Sequence, residues 1–317
     1  MNGKKIALLS TILLLLAGFY YFYEVRYTGQ QKEKAASSRK VLKIKHDDID
    51  RVRIMKPEDT LVLERRDDGW FLVQPVGARA DTWSVDHMIN TLADGTWERE
   101  VSPLPKNLAD FGLADPEIDV TLSVKGLAES SRVVIGAENP TGNMRYVRVG
   151  EEERVLLVYA RFKDALDKTP DDLRDKHVLR FEEDQVFKIL WRAGEKTFAA
   201  ERKDNKWVLI EPADEKISES RIKSLVWRLG DLKFKKIYEN PEHSFSYYSL
   251  SKPYGRIKLT DREKQGIVDL SFGMRKEPTV CYYAKAEGSN SVYELSYDFV
   301  KDLPEPEEGK EKKTSKQ

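Results

Sequence analysis

The sequence predicts an α+β protein with an N-terminal transmembrane helix and two tandem homologous domains, each a mainly antiparallel sheet with a packed amphipathic helix. Three observations predict this class: an uncharged apolar run near the N-terminus, a repetition of the chain at a spacing of 137 residues, and runs of short strand-like segments with one helical stripe in each repeat. A chain of 317 residues is long enough for about two domains. Strands that come in runs favour antiparallel sheets.

The apolar run comes first in the chain. IALLSTILLLLAGFYYFY occupies Ile6–Tyr23 without a charged residue, and a helix of this length spans about 27 Å, close to the hydrocarbon thickness of a bilayer. The aromatic cluster at its end suits the headgroup region. A cleaved signal peptide is the alternative, but bulky aromatic residues stand where a cleavage site needs small ones. We therefore expect an uncleaved signal anchor over residues 1–24 that contacts membrane lipid through residues 6–23.

The charges around the span give opposing indications of its orientation. Basic residues follow it closely: Arg26, Lys32, Lys34, Arg39 and Lys40. These basic residues favour a cytoplasmic location for the domains. A short N-terminal tail followed at once by an apolar run is, in contrast, the usual layout of a signal anchor. We expect a single-pass protein of the inner (cytoplasmic) membrane with its C-terminal domains on the periplasmic or extracytoplasmic side.

The domain boundaries follow from composition and from the repeat. Residues 25–40, which include QQKEKAASSRK, are a polar tether, and residues 305–317 are a charged tail without aromatics that we expect to be disordered. The first domain is predicted over residues 41–176 and the second over residues 177–304, with the boundary near TPDDLRDK.

The repeat is visible when the chain is compared with itself. VLKIKHDDIDRVRI, from Val41, lies over VLRFEEDQVFKILW, from Val178, and LERRDDGWFLVQP, from Leu63, lies over AERKDNKWVLIEP, from Ala200. The register holds without a gap from Val41 to Phe162, which is far more than chance similarity supplies. The chain is therefore predicted to be a tandem duplication.

Each copy begins with four segments of strand character. In the last of them Trp70, Leu72 and Gln74 share one face, and Phe71 and Val73 share the other. The turn residues DDG and DNK before the two equivalent tryptophans predict a hairpin, and the prolines that follow end the strand. In the first copy the four predicted strands cover residues 41–45, 49–54, 61–66 and 70–74.

An amphipathic helix follows in each copy, with Asp81 and Ser218 as the predicted N-cap residues. Apolar residues recur at i, i+3, i+4 and i+7 and make one stripe that packs on the sheet. They are Val85, Met88, Ile89 and Leu92 in the first copy and Ile222, Leu225, Val226 and Leu229 in the second. Later elements of the first copy are predicted as strands near 118–124, 131–136, 144–149 and 155–159 and a short helix near 160–167.

No catalytic constellation is visible in the sequence. The four histidines are scattered, without HxH or HExxH, and the single cysteine, Cys281, allows neither a CxxC pair nor an intrachain disulfide. GxSxG, GxxxxGKS/T and GxGxxG are absent too. The acidic clusters that begin at Asp47 and Asp171 are expected to be solvated turn residues. We therefore expect no enzyme activity, no metal and no cofactor, and a zero net charge gives no reason to expect a nucleic-acid partner.

One loop brings several hydrogen-bonding groups together: GAENPTGNMRY, residues 136–146. It is the candidate ligand-binding loop, and its candidate binding residues are Glu138, Asn139, Thr141 and Tyr146. A structural turn between two strands is the alternative. The second copy keeps Gly273 and Tyr283 at the equivalent positions but loses the Asn-Pro-Thr-Gly run, so a function of this loop would belong to the first copy alone.

These features resemble a family of bacterial envelope proteins catalogued as domain of unknown function 4340. The resemblance is carried by the anchored start, LERRDDGWFLVQP, DFGLADP, the GAENPTG loop with Tyr146, and DKTPDDLRDKHVLRF, and it covers nearly all of residues 1–303. It implies no catalytic residues. Members of the family often stand beside components of ABC-type transport systems of the gliding-motility type. The resemblance therefore implies an accessory subunit at the outer face of the membrane, with permease and ATPase subunits as its partners.

Two main hypotheses follow from the sequence. The first is a membrane-anchored, non-enzymatic accessory subunit of an ABC-type transport complex. The second is a binding module for an envelope glycan, lipid or peptide that uses the loop or the cleft between the copies. An envelope hydrolase with a site assembled from distant residues is a third.

Overall fold

The structure of the chain, a computed structural model, describes residues 3–21, 37–126, 131–213, 216–274 and 281–304. The chain divides into two compact units, Met1–Asp175 and Lys176–Gln317. Each unit is built on one antiparallel sheet with a few helices, which confirms the predicted α+β class and the two tandem copies. The predicted tail at 305–317 and most of the predicted tether, residues 25–36, lie outside the described residues.

A helix occupies most of the N-terminal apolar run. Helix α1 covers Gly3–Tyr20, a length of 18 residues. In the described part of the chain, no helix meets the length and apolarity needed to cross a membrane. The membrane anchor therefore stays a prediction.

The first unit contains a nine-stranded sheet with the order β4-β3-β2-β1-β6-β7-β8-β9-β5. Its strands are β1 (Ile49–Met55), β2 (Thr60–Arg66), β3 (Gly69–Gln74), β4 (Ala78–Arg79), β5 (Arg99–Ser102), β6 (Ile118–Val124), β7 (Ser131–Glu138), β8 (Met144–Val149) and β9 (Val155–Tyr159). Besides α1, its α-helices are α2 (Thr82–Asp94), α3 (Ala160–Leu166) and α4 (Pro170–Leu173), and it has 3-10 turns at His46–Asp48 and Leu108–Phe111.

The second unit contains an eight-stranded sheet with the order β12-β11-β10-β14-β15-β16-β17-β13. Its strands are β10 (Lys188–Ala193), β11 (Lys196–Lys203), β12 (Lys206–Glu211), β13 (Lys236–Tyr238), β14 (Gly255–Thr260), β15 (Gly266–Met274), β16 (Cys281–Ala286) and β17 (Val292–Ser296). Its helices are α5 (Glu219–Gly230) and α6 (Tyr297–Lys301).

The two units repeat one another element by element at the spacing seen in the sequence. Strands β3 and β12 have bounds that differ by 137 residues at both ends, and so do β8 and β16. The cis peptide bonds Gln74–Pro75 and Glu211–Pro212 are related by the same shift. The duplication therefore extends from side-chain pattern to backbone geometry.

The long helix of each unit packs its predicted stripe into the core. All four stripe residues of α2 are buried with Trp70 and Leu72, and the four of α5 are buried with Trp207. Each buried aliphatic side chain contributes about 1.5–3 kcal/mol. The Asp81 carboxylate caps α2 by accepting from the Ser84 N–H at 2.8 Å. Ser218 holds the N-cap position of α5 without a side-chain capping bond, and its hydroxyl lies 3.2 Å from that of Ser220.

Two predictions about local structure were wrong. Residues 41–45 are not a strand, because the Val41 N–H donates to the Gly95 carbonyl after α2 rather than to a ladder. Asp47 lies in a 3-10 turn as expected for a turn residue, but Asp50 lies within β1. The short edge strands β4 and β5 were not predicted, since two to four residues carry too little periodicity. Gln74 is exposed although Trp70 and Leu72 on the same face are buried.

Candidate functional site

The loop between β7 and β8 is closed by the side chain of Asn139. Its Oδ1 accepts from the backbone N–H groups of Asn143 at 3.2 Å and Met144 at 3.0 Å, and its Nδ2 donates to Thr141 Oγ1 at 2.6 Å. Thr141 in turn donates to the Asn143 side chain at 2.7 Å. The structure therefore brings Glu138, Asn139 and Thr141 to one turn, where the amide holds the loop together.

Glu138 is the end of a chain of alternating charges. Its carboxylate pairs with Arg145 at 3.0 Å, and Arg145 pairs with Glu117 at 2.9 Å. Glu117 also pairs with Lys163 of α3 at 3.0 Å, and Lys163 pairs with Asp167 at 3.2 Å. Burial opposes the charge on Lys163, but the two carboxylates outweigh it and raise the pKa of this ammonium. The chain of ion pairs ties the loop to helix α3.

Tyr146 lies away from the polar turn, in an apolar cluster on the opposite face of the sheet from the main core. Its ring meets Phe111 edge-on at 5.0 Å between centroids, and the buried members of the cluster are Leu113, Val134 and Val155. The segment that carries Phe111 crosses β7 so closely that a Cβ at Gly136 would lie 2.3 Å from the Phe111 carbonyl oxygen. The structure thus does not bring Tyr146 into the turn formed by the other three candidate residues.

A groove with polar and aromatic walls lies on the first unit between α2 and α3; we call it the first-copy groove. Its volume is about 400 Å³, and its lining residues are His87, Asn90, Thr91, Asp94, Gly95, Thr96, Tyr159, Arg161, Phe162 and Ala165. The Tyr159 side chain is 38% exposed, and the Arg161 guanidinium lies 5.1 Å from its ring centre. His87 stacks on Trp83, with ring centres 5.6 Å apart, and Trp83 is 75% exposed.

The equivalent place in the second unit is filled by an ion pair. Arg228 lies 3.4 Å from the Asp302 carboxylate and also donates to the Asp302 carbonyl. These two positions correspond, at the spacing of the repeat, to Thr91 and Ala165 of the first-copy groove. Thr91 and Ala165 are smaller than Arg228 and Asp302, so the first copy has a groove where the second copy has an ion pair.

The second unit has a groove on an overlapping face of its long helix, which we call the second-copy groove. Its volume is about 490 Å³, and it is lined by Glu183, Arg202, Asn205, Trp207, Lys223, Ser224, Val226 and Trp227. Trp227 is 58% exposed and also borders a neighbouring depression of about 580 Å³ beside Phe181. In the first unit the positions equivalent to Glu183 and Lys223 hold His46 and Asp86, whose side chains meet at 3.3 Å.

The histidines of the chain have structural contacts. His46 also lies 3.0 Å from Asp47, and His177 lies 3.6 Å from Asp231. His243 packs against Tyr247 at 4.1 Å between ring centres, and His87 stacks as described. Within the part of the chain that the structure describes, there is no group of three or more His, Cys, Asp or Glu side chains suited to a metal ion.

The residues that sequence reasoning missed are Trp83, Tyr159 and Trp227. A usable signal was present for the two tryptophans, because both fall outside the apolar stripes of their helices. The comparison of copies also marks them, since Trp83 corresponds to Ser220 and Asn90 corresponds to Trp227. An aromatic residue that is present in only one copy, on the polar face of a helix, does not belong to the shared core.

Comparison with known proteins assigns the chain to a family. The family described as a domain of unknown function (DUF4340) matches twice, over residues 70–219 and 207–313. The chain belongs to this family, in a tandem-repeat form. Each match begins at a hairpin tryptophan, Trp70 or Trp207, so the two matches keep the spacing of the duplication. Neither the curated proteins nor the solved structures contain a significant match.

Proposed function

We propose that the protein is a membrane-anchored, non-enzymatic envelope protein that serves as an accessory subunit of an ABC-type transport complex of the gliding-motility type. The apolar run at residues 6–23 anchors it in the inner membrane, and the two copies lie on the extracytoplasmic side. The observation that carries the proposal is Trp227, a large aromatic side chain exposed between two depressions of the second copy.

Trp227 has the properties of a protein-contact residue. Tryptophan and arginine dominate the binding energy of many protein interfaces, and they do so where surrounding side chains exclude water. Arg202 and Lys223 border Trp227 on one side, and Asp231 borders it on the other. A permease segment that covers the indole would bury its apolar surface and leave these charges at the polar rim.

The anchor contributes to binding without adding a contact. A domain held close to the bilayer meets a membrane-embedded partner at a high effective concentration, so even a modest contact through Trp227 is occupied much of the time. His46 and His177 lie against carboxylates, and Asn139 forms hydrogen bonds within its own loop. These contacts support a scaffold in which such polar side chains stabilise the fold. The second candidate function, binding of an envelope glycan, lipid or peptide, is favoured by the first-copy groove.

The test is co-purification of partners after cross-linking in cells. Tagged full-length protein, extracted from its own membranes in mild detergent, should carry permease and ATPase subunits with it. Trp227→Ala should reduce their recovery at least tenfold, whereas Trp83→Ala removes an equally large exposed indole from the other copy and should leave recovery unchanged.

The outcomes separate the parts of the proposal. Wild-type protein that is recovered without any transporter subunit overturns the accessory function. Recovery that is equal in wild type and Trp227→Ala leaves the complex but removes the second-copy groove as its contact. Replacement of residues 1–24 by an unrelated anchor tests whether the membrane segment itself makes the contact.

A further inference from the structure

We infer that the first-copy groove is a carbohydrate-binding site that takes a short, uncharged oligosaccharide. This inference is independent of the transport complex, because it uses a different surface on the other copy. It rests on the chemistry of the groove walls, on their charge balance and on the contrast with the second copy.

The walls combine the two kinds of group that sugars need. The C–H faces of a pyranose ring pack on exposed aromatic rings, which here are those of Tyr159 and His87. Trp83 lies outside the groove lining and supports the His87 ring by stacking on it. Sugar hydroxyls both donate and accept, and the Asn90 amide and the Arg161 guanidinium can bond to them. The Thr91 hydroxyl donates to the His87 carbonyl at 3.0 Å, so its oxygen is left to accept from a sugar hydroxyl. A volume of about 400 Å³ is in the usual range for small-ligand sites and has room for sugar rings.

The charge balance of the groove favours a neutral ligand. It contains one carboxylate, Asp94, which is already paired with Lys40 at 2.9 Å, and one guanidinium, Arg161, which lies over Tyr159. A phosphate or an anionic headgroup would find no cluster of cations here. Among the lining residues an acyl chain would meet the Tyr159 ring and the side chains of Phe162 and Ala165, of which the last two are themselves buried. The groove lining combines polar side chains with aromatic rings and therefore favours a sugar over a lipid.

The second copy shows what the same architecture looks like when this site is lost. Arg228 and Asp302 fill the space, and Ser296 stands where the first copy has Tyr159. One chain should therefore bind one oligosaccharide, although it contains two copies of the fold. The residues of the second copy also supply a substitution that closes the groove with side chains that this fold already accommodates.

The experiment titrates full-length protein in detergent with maltotriose, cellotriose and chitotriose, and follows binding by calorimetry. At least one of these trisaccharides should bind saturably, with one site per chain. Thr91→Arg/Ala165→Asp, which copies the ion pair of the second unit, should weaken binding at least tenfold. Thr91→Ser/Ala165→Ser changes the same two positions without long side chains and should bind as the wild type does.

A second variant guards against misfolding of the first. Tyr159→Ser carries the residue that the second copy has at that place, and it should also weaken binding at least tenfold while hydrogen-exchange protection of α2 is retained. The inference is overturned if none of the three trisaccharides binds wild-type protein at millimolar concentration. It is equally overturned if binding persists in both groove variants, or if lipid vesicles bind at this groove in place of sugar.

Discussion

One ion pair shows at the level of single residues how the copies diverged. In the first copy Arg132 on β7 holds Asp119 on β6, with Nε–Oδ1 at 3.0 Å. In the second copy Arg256 on β14 holds Asp269 on β15 at 2.5 Å. At the spacing of the repeat, Arg256 corresponds to Asp119 and Asp269 to Arg132. The ion pair is kept, although the acidic and the basic residue have exchanged strands. Two neighbouring antiparallel strands can carry the opposite charges in either order.

We expect this pair to tolerate reversal. Asp119→Arg or Arg132→Asp alone places like charges side by side at a carboxylate site that is largely buried, and each should cost about 1–3 kcal/mol of unfolding free energy. The double exchange, which copies the second unit, should recover most of that loss. Urea unfolding of the four proteins in a double-mutant cycle measures the coupling. A double variant as unstable as the sum of the singles would contradict the interpretation.

Asp269 should make the second copy sensitive to acid. Burial opposes its ionisation, but hydrogen bonds from Arg256 and Lys258 outweigh burial and hold the pKa of Asp269 below its ordinary value. Its stabilising contribution is therefore present above the ordinary carboxyl pKa, near 4, and is lost as the pH falls through the lowered folded pKa. Asp269→Asn should reduce stability by about 1–3 kcal/mol at neutral pH.

The check is unfolding free energy measured at neutral pH and at successively lower pH. Asp269→Asn should flatten the acid limb relative to wild type, because the titrating group is gone. Equal slopes in the two proteins would show that other carboxylates control acid unfolding.

At the level of elements, both copies share a turn that crosses closely over a glycine outside the main core. The segment at Phe111 crosses β7 at Gly136, and the segment at Tyr248 crosses β15 at Gly273. A Cβ at Gly273 would lie 2.5 Å from the Ser249 carbonyl oxygen. The DFGLADP segment therefore has a structural role, because this segment covers the apolar cluster that contains Tyr146.

Gly136→Ala and Gly273→Ala should therefore destabilise their own copies. Each new methyl group meets backbone atoms that have no rotamer to yield, so the expected cost is about 1–3 kcal/mol or more. Gly77→Ala is the matched control, because no atom lies within 4 Å of its Cβ position and its φ is not in the left-handed region; its effect should stay within about 0.5 kcal/mol. Thermal unfolding measures all three, and a harmless Gly136→Ala would contradict the close crossing.

At the level of the whole molecule, each copy has a main core of its own. The core of the first unit includes Leu122, and the core of the second includes the equivalent Leu259; both side chains are fully buried. The copies can therefore change separately, which is what the two grooves show.

Leu122→Ala and Leu259→Ala should each act on one copy. A cavity of this size costs about 2–5 kcal/mol, and the loss of hydrogen-exchange protection should be confined to the strands of the substituted unit. Mass spectrometry of exchanged peptides from the full chain reads both units in one experiment. Protection lost equally in both units by either variant would mean that they unfold as a single cooperative body.

The sequence by itself determined the duplication, the hairpin with its tryptophan, the helical stripe and the family, because each depends on local periodicity or on a fixed spacing. It did not determine the backbone conformation at Val41, because the Val41 N–H donates to the Gly95 carbonyl, more than fifty positions away. Nor did it separate Tyr146 from the turn that holds Asn139, because the Phe111 ring on which Tyr146 packs comes from a distant segment of the chain. The two grooves were decided by tertiary structure alone: whether Thr91 leaves space or Arg228 fills it depends on a partner on α3 or beyond α6. Such contacts join residues that are distant in the chain, and only the folded backbone brings them together.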